Sequence, residues 1–314
     1  MDKIIRILAV NPGSTSTKIA LFDDTDEVFS ETIRHAAEDL TDFKEIQDQL
    51  IYRRDTVEKT MAEKGYALAD VDVFVGRGGG LLSVTGGTYD VNPLLVEHAS
   101  KGMSGQHPAQ LASQICGQFA DKYTGRAFIV NPPDVDEFED ISRITGIKGI
   151  YRESHIHALN QKEIALRFCK SRGLHYADAN LVVCHIGGGI SITAHKKGRM
   201  IDSNDIIKGS GPMTPTRAGD MAYMKIVDMA YSGEYTKKEL TAKLNVNGGL
   251  MDHFGSADTR DVLNLANEGD HYAALVYRAT AYQNAKYVGA MAVALKGEID
   301  AIILTGGVTN GKAF

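Results

Sequence analysis

The turn Asn11-Pro12-Gly13-Ser14-Thr15-Ser16-Thr17-Lys18 gathers small hydroxyl side chains, a glycine and a lysine, and a second turn, His185-Ile186-Gly187-Gly188-Gly189-Ile190-Ser191, carries three glycines in a row. Hydroxyls and free backbone N–H groups bind phosphate oxygens, and an ammonium offsets their charge. Three consecutive glycines between strands carry an entropic cost, which a group approaching the backbone closely would justify. Each turn lies between β-branched or apolar runs, and the two are about half a chain length apart. The chain therefore reads as two halves that each open with a hairpin and a phosphate cradle, which points to phosphoryl transfer. The competing readings are an ordinary polar turn for the first and a β-bulge or tight crossing for the second. A Walker-type GxxxxGK loop is absent.

Two arginines extend this chemistry. Arg77 stands between a short apolar run and Gly78-Gly79-Gly80, and Arg217 lies in Thr214-Pro215-Thr216-Arg217-Ala218-Gly219-Asp220. Loop arginines beside flexible backbone suit a carboxylate or a transferring phosphoryl group, and with two glycine turns they make a clamp for an anionic transition state. His107 precedes a helix start in Gly105-Gln106-His107-Pro108, and His155 and His157 are two apart. A capping or space-filling histidine is an equal reading of each, and no HxxxH or HExxH spacing points to zinc. Asp134, Asp136, Glu137, Glu139 and Asp140 crowd one loop that either holds Mg²⁺ or is simply solvated.

The elements that must position these residues alternate in type. Strands are expected over 4–10, 19–22, 71–75 and 127–130, with helices over 39–64, 109–122 and 154–172. Strands over 181–185 and 191–196 repeat the scheme, followed by helices, the longest over 271–295, then a strand over 301–304 and the turn Thr305-Gly306-Gly307. This alternation implies an α/β architecture in two domains, 1–165 and 166–314, without a low-complexity linker. The 314 residues suffice for two cores. Hydrophobic residues make up 43% and charged residues 24%, and a net charge of −6 with no basic stripe excludes a nucleic-acid partner. Cys116, Cys169 and Cys184 have no CxxC spacing and read as buried thiols of a reduced compartment. The apolar run at the N-terminus is too short for a signal h-region or a membrane span, so a cytoplasmic protein without membrane contact is expected.

From residue 7 to residue 308 the ordered set NPGSTSTK, GRGGGLL, HIHALNQK, HIGGGISI, TPTRAGD and ILTGGV resembles the acetokinase family of the actin-like ATPase superfamily, in its butyrate kinase branch. Acetate kinases carry FHGTSH where this chain has IHALNQK and HLGNGAS where it has HIGGGIS, so that a histidine of theirs falls on Gln161. The resemblance implies two actin-like (ribonuclease H-like) domains with a nucleotide cleft between them, and a reversible transfer of the ATP γ-phosphate to butanoate with Mg²⁺. It implies that Asn11, Ser14, Ser16 and Lys18 form the first phosphate loop and His185, Gly187, Gly188 and Gly189 the second. Arg77 would hold the substrate carboxylate, His107 would stand near the acceptor, and Arg217 would stabilise the moving phosphoryl group. Asp258, Arg260, Gly306 and Gly307 would meet the nucleotide. Asn131 replaces the usual metal-side aspartate, which shifts the expectation for Mg²⁺ toward Asp134. The resemblance further implies a homo-oligomer. Relatives continue for several tens of residues beyond the position of Phe314, so the second domain is expected to lack its usual C-terminal tail. Against the butanoate reading stand a kinase for another short or branched-chain carboxylate, a sugar kinase, and an inactive nucleotide-binding remnant.

Overall fold

The computed structural model describes residues 3–310 and divides the chain into two units, Met1–Val135 and Asp136–Phe314. The first begins with an antiparallel meander of β1 (Arg6–Pro12), β2 (Ser16–Asp23) and β3 (Asp26–Arg34). Then follow α1 (Ala37–Thr41), α2 (Leu50–Glu63), β4 (Val73–Gly76), β5 (Thr88–Asp90), α3 (Pro93–Lys101), α4 (Leu111–Tyr123) and β6 (Arg126–Val130). The sheet order is β3-β2-β1-β4-β6-β5, with β1, β4 and β6 mutually parallel. Period-two alternation gives β1 and β2 one buried face: Leu8, Val10, Ile19 and Leu21 share a core with Val57 and Met61 of α2 and Leu111, Ile115 and Phe119 of α4. Each such side chain contributes about 1.5–3 kcal/mol on burial.

The second unit contains α5 (Asp140–Arg143), α6 (Ala158–Ser171), β7 (Asn180–Ile186), β8 (Ile190–Lys196) and β9 (Arg199–Ser203). It continues with α7 (Tyr223–Tyr231), α8 (Lys237–Asn245), α9 (Leu250–Phe254), α10 (Thr259–Asn267), α11 (His271–Ala294) and β10 (Ala301–Thr305). Its sheet runs β10-β7-β8-β9, an antiparallel meander whose first strand has a parallel neighbour, β10, as β1 has β4 in the first unit. Val182, Cys184, Ile192 and Ala194 pack with Met291 of α11, whereas Leu181 and Val183 pack with Ala165 and Cys169 of α6. Cover on both faces explains why LVVC is a continuous apolar run rather than an alternating one. β10 is the edge of this sheet among the described residues, and its Ile302 and Leu304 are more than half exposed.

The expected α/β repeat is what the two sheets display. Local differences have local causes. The single helix expected over 39–64 is interrupted because Glu45 and Asp48 exchange side-chain-to-backbone hydrogen bonds, a capping box that starts a new helix after α1. The expected division at 165/166 falls inside α6, whose Ala165 and Cys169 sit against β7. All three cysteines are buried free thiols. No helix of the described residues is long and apolar enough to cross a membrane.

Two imidazoles are sealed within these cores. Burial and the nearby Arg53 hold His35 down to about 4, and burial and Lys162 hold His195 down to about 3. Unfolded, each takes up a proton near pH ~6.5. Between those values the unfolded chain binds more protons, so this stability is complete above about pH 6.5 and is lost as the pH falls toward 4. Each histidine adds a slope of at most about 1.4 kcal/mol per pH unit. His155 carries a pKa raised mainly by its hydrogen bond to Asp205, and acts in the opposite sense. A His195→Gln variant therefore isolates one contribution: urea unfolding at pH 7 and pH 5 should show a smaller pH difference for it than for the parent, and identical differences would contradict the assignment.

Candidate active site

In the first unit, β1 and β2 pair as far as Pro12 and Thr17, and Gly13 N–H donates to the Ser16 carbonyl at 2.7 Å to close the turn. The neighbouring carbonyls are held from the protein side. Ser14 O and Ser16 O accept from the Arg53 guanidinium at 3.2 and 3.3 Å, and Thr15 O accepts from His35 N–H at 3.0 Å. Across a planar trans peptide, a carbonyl and the next N–H point in opposite directions. The Ser14 and Ser16 carbonyls, turned toward the buried Arg53, therefore aim the N–H groups of Thr15 and Thr17 away from it, while Thr15 O continues the β2–β3 ladder. Asn11 and Lys18 are register partners, both exposed, so an amide and an ammonium flank the turn.

Arg77 follows β4, with its N–H on Val10 O, which places it beside the end of β1. Among the described residues its guanidinium has no hydrogen-bond partner; burial pushes its pKa down and the charge of Asp134 opposes this. Asp134 itself accepts from Leu81 N–H at 3.1 Å and from the Ser104 hydroxyl. His107 lies at the mouth of the turn before α4 and accepts Ala109 N–H on Nδ1 at 3.1 Å. Desolvation, then Arg77 and Arg53, hold its pKa down to about 4. A neutral ring that accepts at Nδ1 carries its proton on Nε2, so His107 offers a donor beside a cation.

Asn131 adopts a positive φ of 41° and binds Gly87 in both directions, through its N–H and through Oδ1. Asp136, Glu137 and Glu139 of the acidic loop are tied to Arg143, Lys162 and Lys196. Among the described residues no group of three or more His, Cys, Asp or Glu is placed to hold a metal.

The second unit builds its site around Arg217. The Thr214 hydroxyl accepts from the N–H groups of Thr216 and Arg217 at 3.2 and 3.0 Å, and Thr214 N–H donates to Arg217 O. This folds the TPTRAG run into a tight turn with the Arg217 side chain thrown to one side. Arg217 Nη1 is a buried atom without a hydrogen-bond partner among the described residues, and desolvation lowers the pKa of the group. A Cβ on Gly189 would stand 2.5 Å from Nη1 and 3.5 Å from His157. The third glycine of the turn is thus room for Arg217. Gly188 has open space on its side-chain side, whereas a Cβ on Gly187 would meet His185 Nε2 at 3.2 Å.

His157 and His185 stack with ring centroids 3.8 Å apart. His157 is set by a chain of buried hydrogen bonds. Gln161 Nε2 donates to Ser191 O, which fixes its amide so that Oε1 accepts from His195 Nε2, and Tyr176 O–H then donates to His195 Nδ1. Ser191 Oγ joins Gln161 to His157 Nδ1 at 2.8 and 2.9 Å. Nothing in the spacing of His155 and His157 separated the one that faces Arg217 from the one that pairs with Asp205 at 3.0 Å.

A cavity of about 630 Å³ in this unit is lined by Gly187, Gly188, Asp258, Arg260 and Gly307, with Pro215, Leu263 and Tyr277 as apolar walls. Asp258 caps α10 by accepting Arg260 N–H at 2.9 Å and pairs with the Arg260 guanidinium, which holds its carboxyl down to about 2. Gly306, at φ 97°, lies so close to the Ile186 backbone that any Cβ would overlap it, so it packs β10 onto the glycine turn, while Gly307 faces the cavity.

Known proteins are similar to this chain over most of its length. The model of the acetokinase family matches residues 147–314. The chain is 41% identical to butyrate kinase 2 of Clostridium acetobutylicum across 98% of its own length and 86% of that protein's. Among solved structures, an acetate kinase of Porphyromonas gingivalis superposes with a TM-score of 0.77 at 19% identity, covering 97% of this chain and 83% of the other. A propionate kinase of Francisella tularensis does so with 0.76 at 19%, covering 99% and 85%. The superpositions show an actin-like fold, and the family match and the identity over nearly the whole chain show that it belongs to the acetokinase family.

Proposed function

We propose that the chain is an ATP-dependent carboxylate kinase acting on butanoate, joining a carboxylate oxygen to the γ-phosphorus while the bond to the β-phosphate oxygen of ADP breaks. The observation that carries this reading is Arg217 Nη1, a buried N–H donor with no hydrogen-bond partner among the described residues, lying against Gly189 of the turn whose Gly187 and Gly188 line the cavity of about 630 Å³. A buried unsatisfied donor costs on the order of 1–3 kcal/mol, more when charged, and an anionic oxygen of the ligand would recover it. The substrate carboxylate is ionised at neutral pH and already a nucleophile, so no general base is required. Rate enhancement would come from positioning and charge neutralisation. In this reading Arg77 and the Nε2–H of neutral His107 hold the carboxylate, and Arg217 meets the equatorial oxygens of the phosphoryl group in flight. Asn11, Ser14, Ser16, Lys18 and the turn 187–189 bind phosphates, and Asp258, Arg260 and Gly307 border the nucleoside.

Asn131 and Asp134 belong to no group of three or more His, Cys, Asp or Glu placed to hold a resident metal among the described residues. Asn131 spends its oxygen on Gly87 N–H, and one oxygen of Asp134 on Leu81 N–H and Ser104. We therefore take the cation as part of the MgATP substrate. A homo-oligomer in the cytoplasm completes the proposal. Its support is a run of large apolar residues, Ile141, Ile144, Ile147, Ile150 and Tyr151, each more than half exposed.

Acyl hydroxamate formation from MgATP tests the activity directly. Butanoate is expected to give product in preference to acetate; ATP binding without product from either acid would contradict the kinase reading. Gly189→Ala tests the clamp. Its Cβ meets only the far end of a flexible side chain, so the fold should survive with an unchanged melting temperature while Arg217 is displaced. The expected loss is on the order of 10²-fold in kcat, the scale of one lost transition-state donor, and parent-like kcat would contradict the role.

A further inference from the structure

Arg53 belongs to no motif, yet it is a fully buried arginine. Its Nε donates to Gln49 Oε1 at 2.9 Å, Nη1 to Thr17 Oγ1 at 3.0 Å and to Ser16 O at 3.3 Å, and Nη2 to Ser14 O at 3.2 Å. Every acceptor is neutral; among the described residues no carboxylate pairs with it, and burial lowers its pKa. The direction of the surrounding network is set from its far end: the Asp39 carboxylate only accepts, so Tyr52 O–H donates to it at 3.2 Å and accepts from His35 Nδ1 at 3.2 Å. The neutral His35 ring then accepts at Nε2 from the Thr17 hydroxyl at 2.9 Å, and Thr17 Oγ1 in turn accepts from Arg53.

Neutral donors could hold two carbonyls at far less desolvation cost than a buried cation. What a cation adds is a field behind the N–H groups turned away from it. We propose that Arg53 is a positioning residue for polyphosphate: it pins the Ser14–Ser16 turn with the following N–H groups turned away from it, and the bound anion supplies the counter-charge that the unit withholds. The inference rests on the reading of this turn as a phosphate loop. It reaches beyond that reading in assigning the charge to a side chain that never touches the ligand.

Calorimetric titration of the full chain with inorganic tripolyphosphate, and separately with adenosine, tests it on Arg53→Gln and Arg53→Lys. Arg53→Gln should bind tripolyphosphate about tenfold more weakly, Arg53→Lys should recover part of the loss by restoring the charge, and adenosine affinity should be unmoved in both. Parent-like tripolyphosphate binding by Arg53→Gln overturns the proposal, as does an equal loss of adenosine affinity, the mark of a merely structural role. No tripolyphosphate binding by the parent overturns it too. Should Arg53→Gln fail to fold, Gln49→Met decides by the same criteria: it frees Nε and should weaken tripolyphosphate alone, and parent-like binding rejects the proposal. Hydroxamate formation by the parent separates the readings. Tripolyphosphate binding without hydroxamate sinks the kinase and leaves Arg53 in place; hydroxamate with a parent-like Arg53→Gln does the reverse.

Discussion

Positive charge kept out of water without a hydrogen-bonded carboxylate is the constraint on which the rest depends. Arg53, Arg77 and Arg217 each have their pKa lowered by burial, and none hydrogen-bonds to a carboxylate among the described residues. A fold pays for such a group only where something other than a protein anion completes it. Arg53 is completed in part by backbone carbonyls, and Arg217 keeps a buried N–H with no acceptor among the described residues. Asp134 and Asp205 act on Arg77 and Arg217 through charge alone, while Glu137, Asp136 and Glu139 pair with Lys162, Arg143 and Lys196.

The two units solve the same placement problem with different parts. In the first, the hairpin turn's Ser14 and Ser16 carbonyls are held by the buried Arg53, which turns the following N–H groups away from it. In the second, the hairpin turn is stripped of side chains so that Arg217 can lie against Gly189, while Thr214 fixes the arginine's own backbone. Rigid sheets stand behind both turns, with each first strand hydrogen-bonded on both sides. Preorganisation of this kind matters for phosphoryl transfer, where the reacting groups bring their own nucleophile and the protein contributes position and charge.

Much of this was legible in the residues. The β-branched or apolar runs of β1, β2 and β7 and the stretch 271–294, almost without breakers, each became the element their pattern announces. The glycine turn was legible as a place of close approach, although Gly189 makes room for a side chain of its own unit. Arg53 was not legible, because beside Gln49 and Thr17 its acceptors are backbone carbonyls 37 and 39 residues away, and a carbonyl has no letter in the sequence. His157 was hidden for a related reason: its orientation is set through Ser191 and Gln161, 34 and 30 residues from their partners, and not by its own neighbours. Gly306 reads in a motif as a nucleotide contact, while its backbone is pressed onto Ile186 and only Gly307 reaches the cavity.

The most direct measurement of the central claim is a crystal structure with ADP, aluminium fluoride and butanoate. It should show Arg217 Nη1 donating to a fluorine of the phosphoryl mimic and the Arg77 guanidinium donating to the butanoate carboxylate, with no protein acid moving in to pair with either. Ligands bound elsewhere, or both guanidinium groups satisfied by protein carboxylates while the mimic sits in place, would contradict the view that these arginines are held vacant for the anions of the reaction.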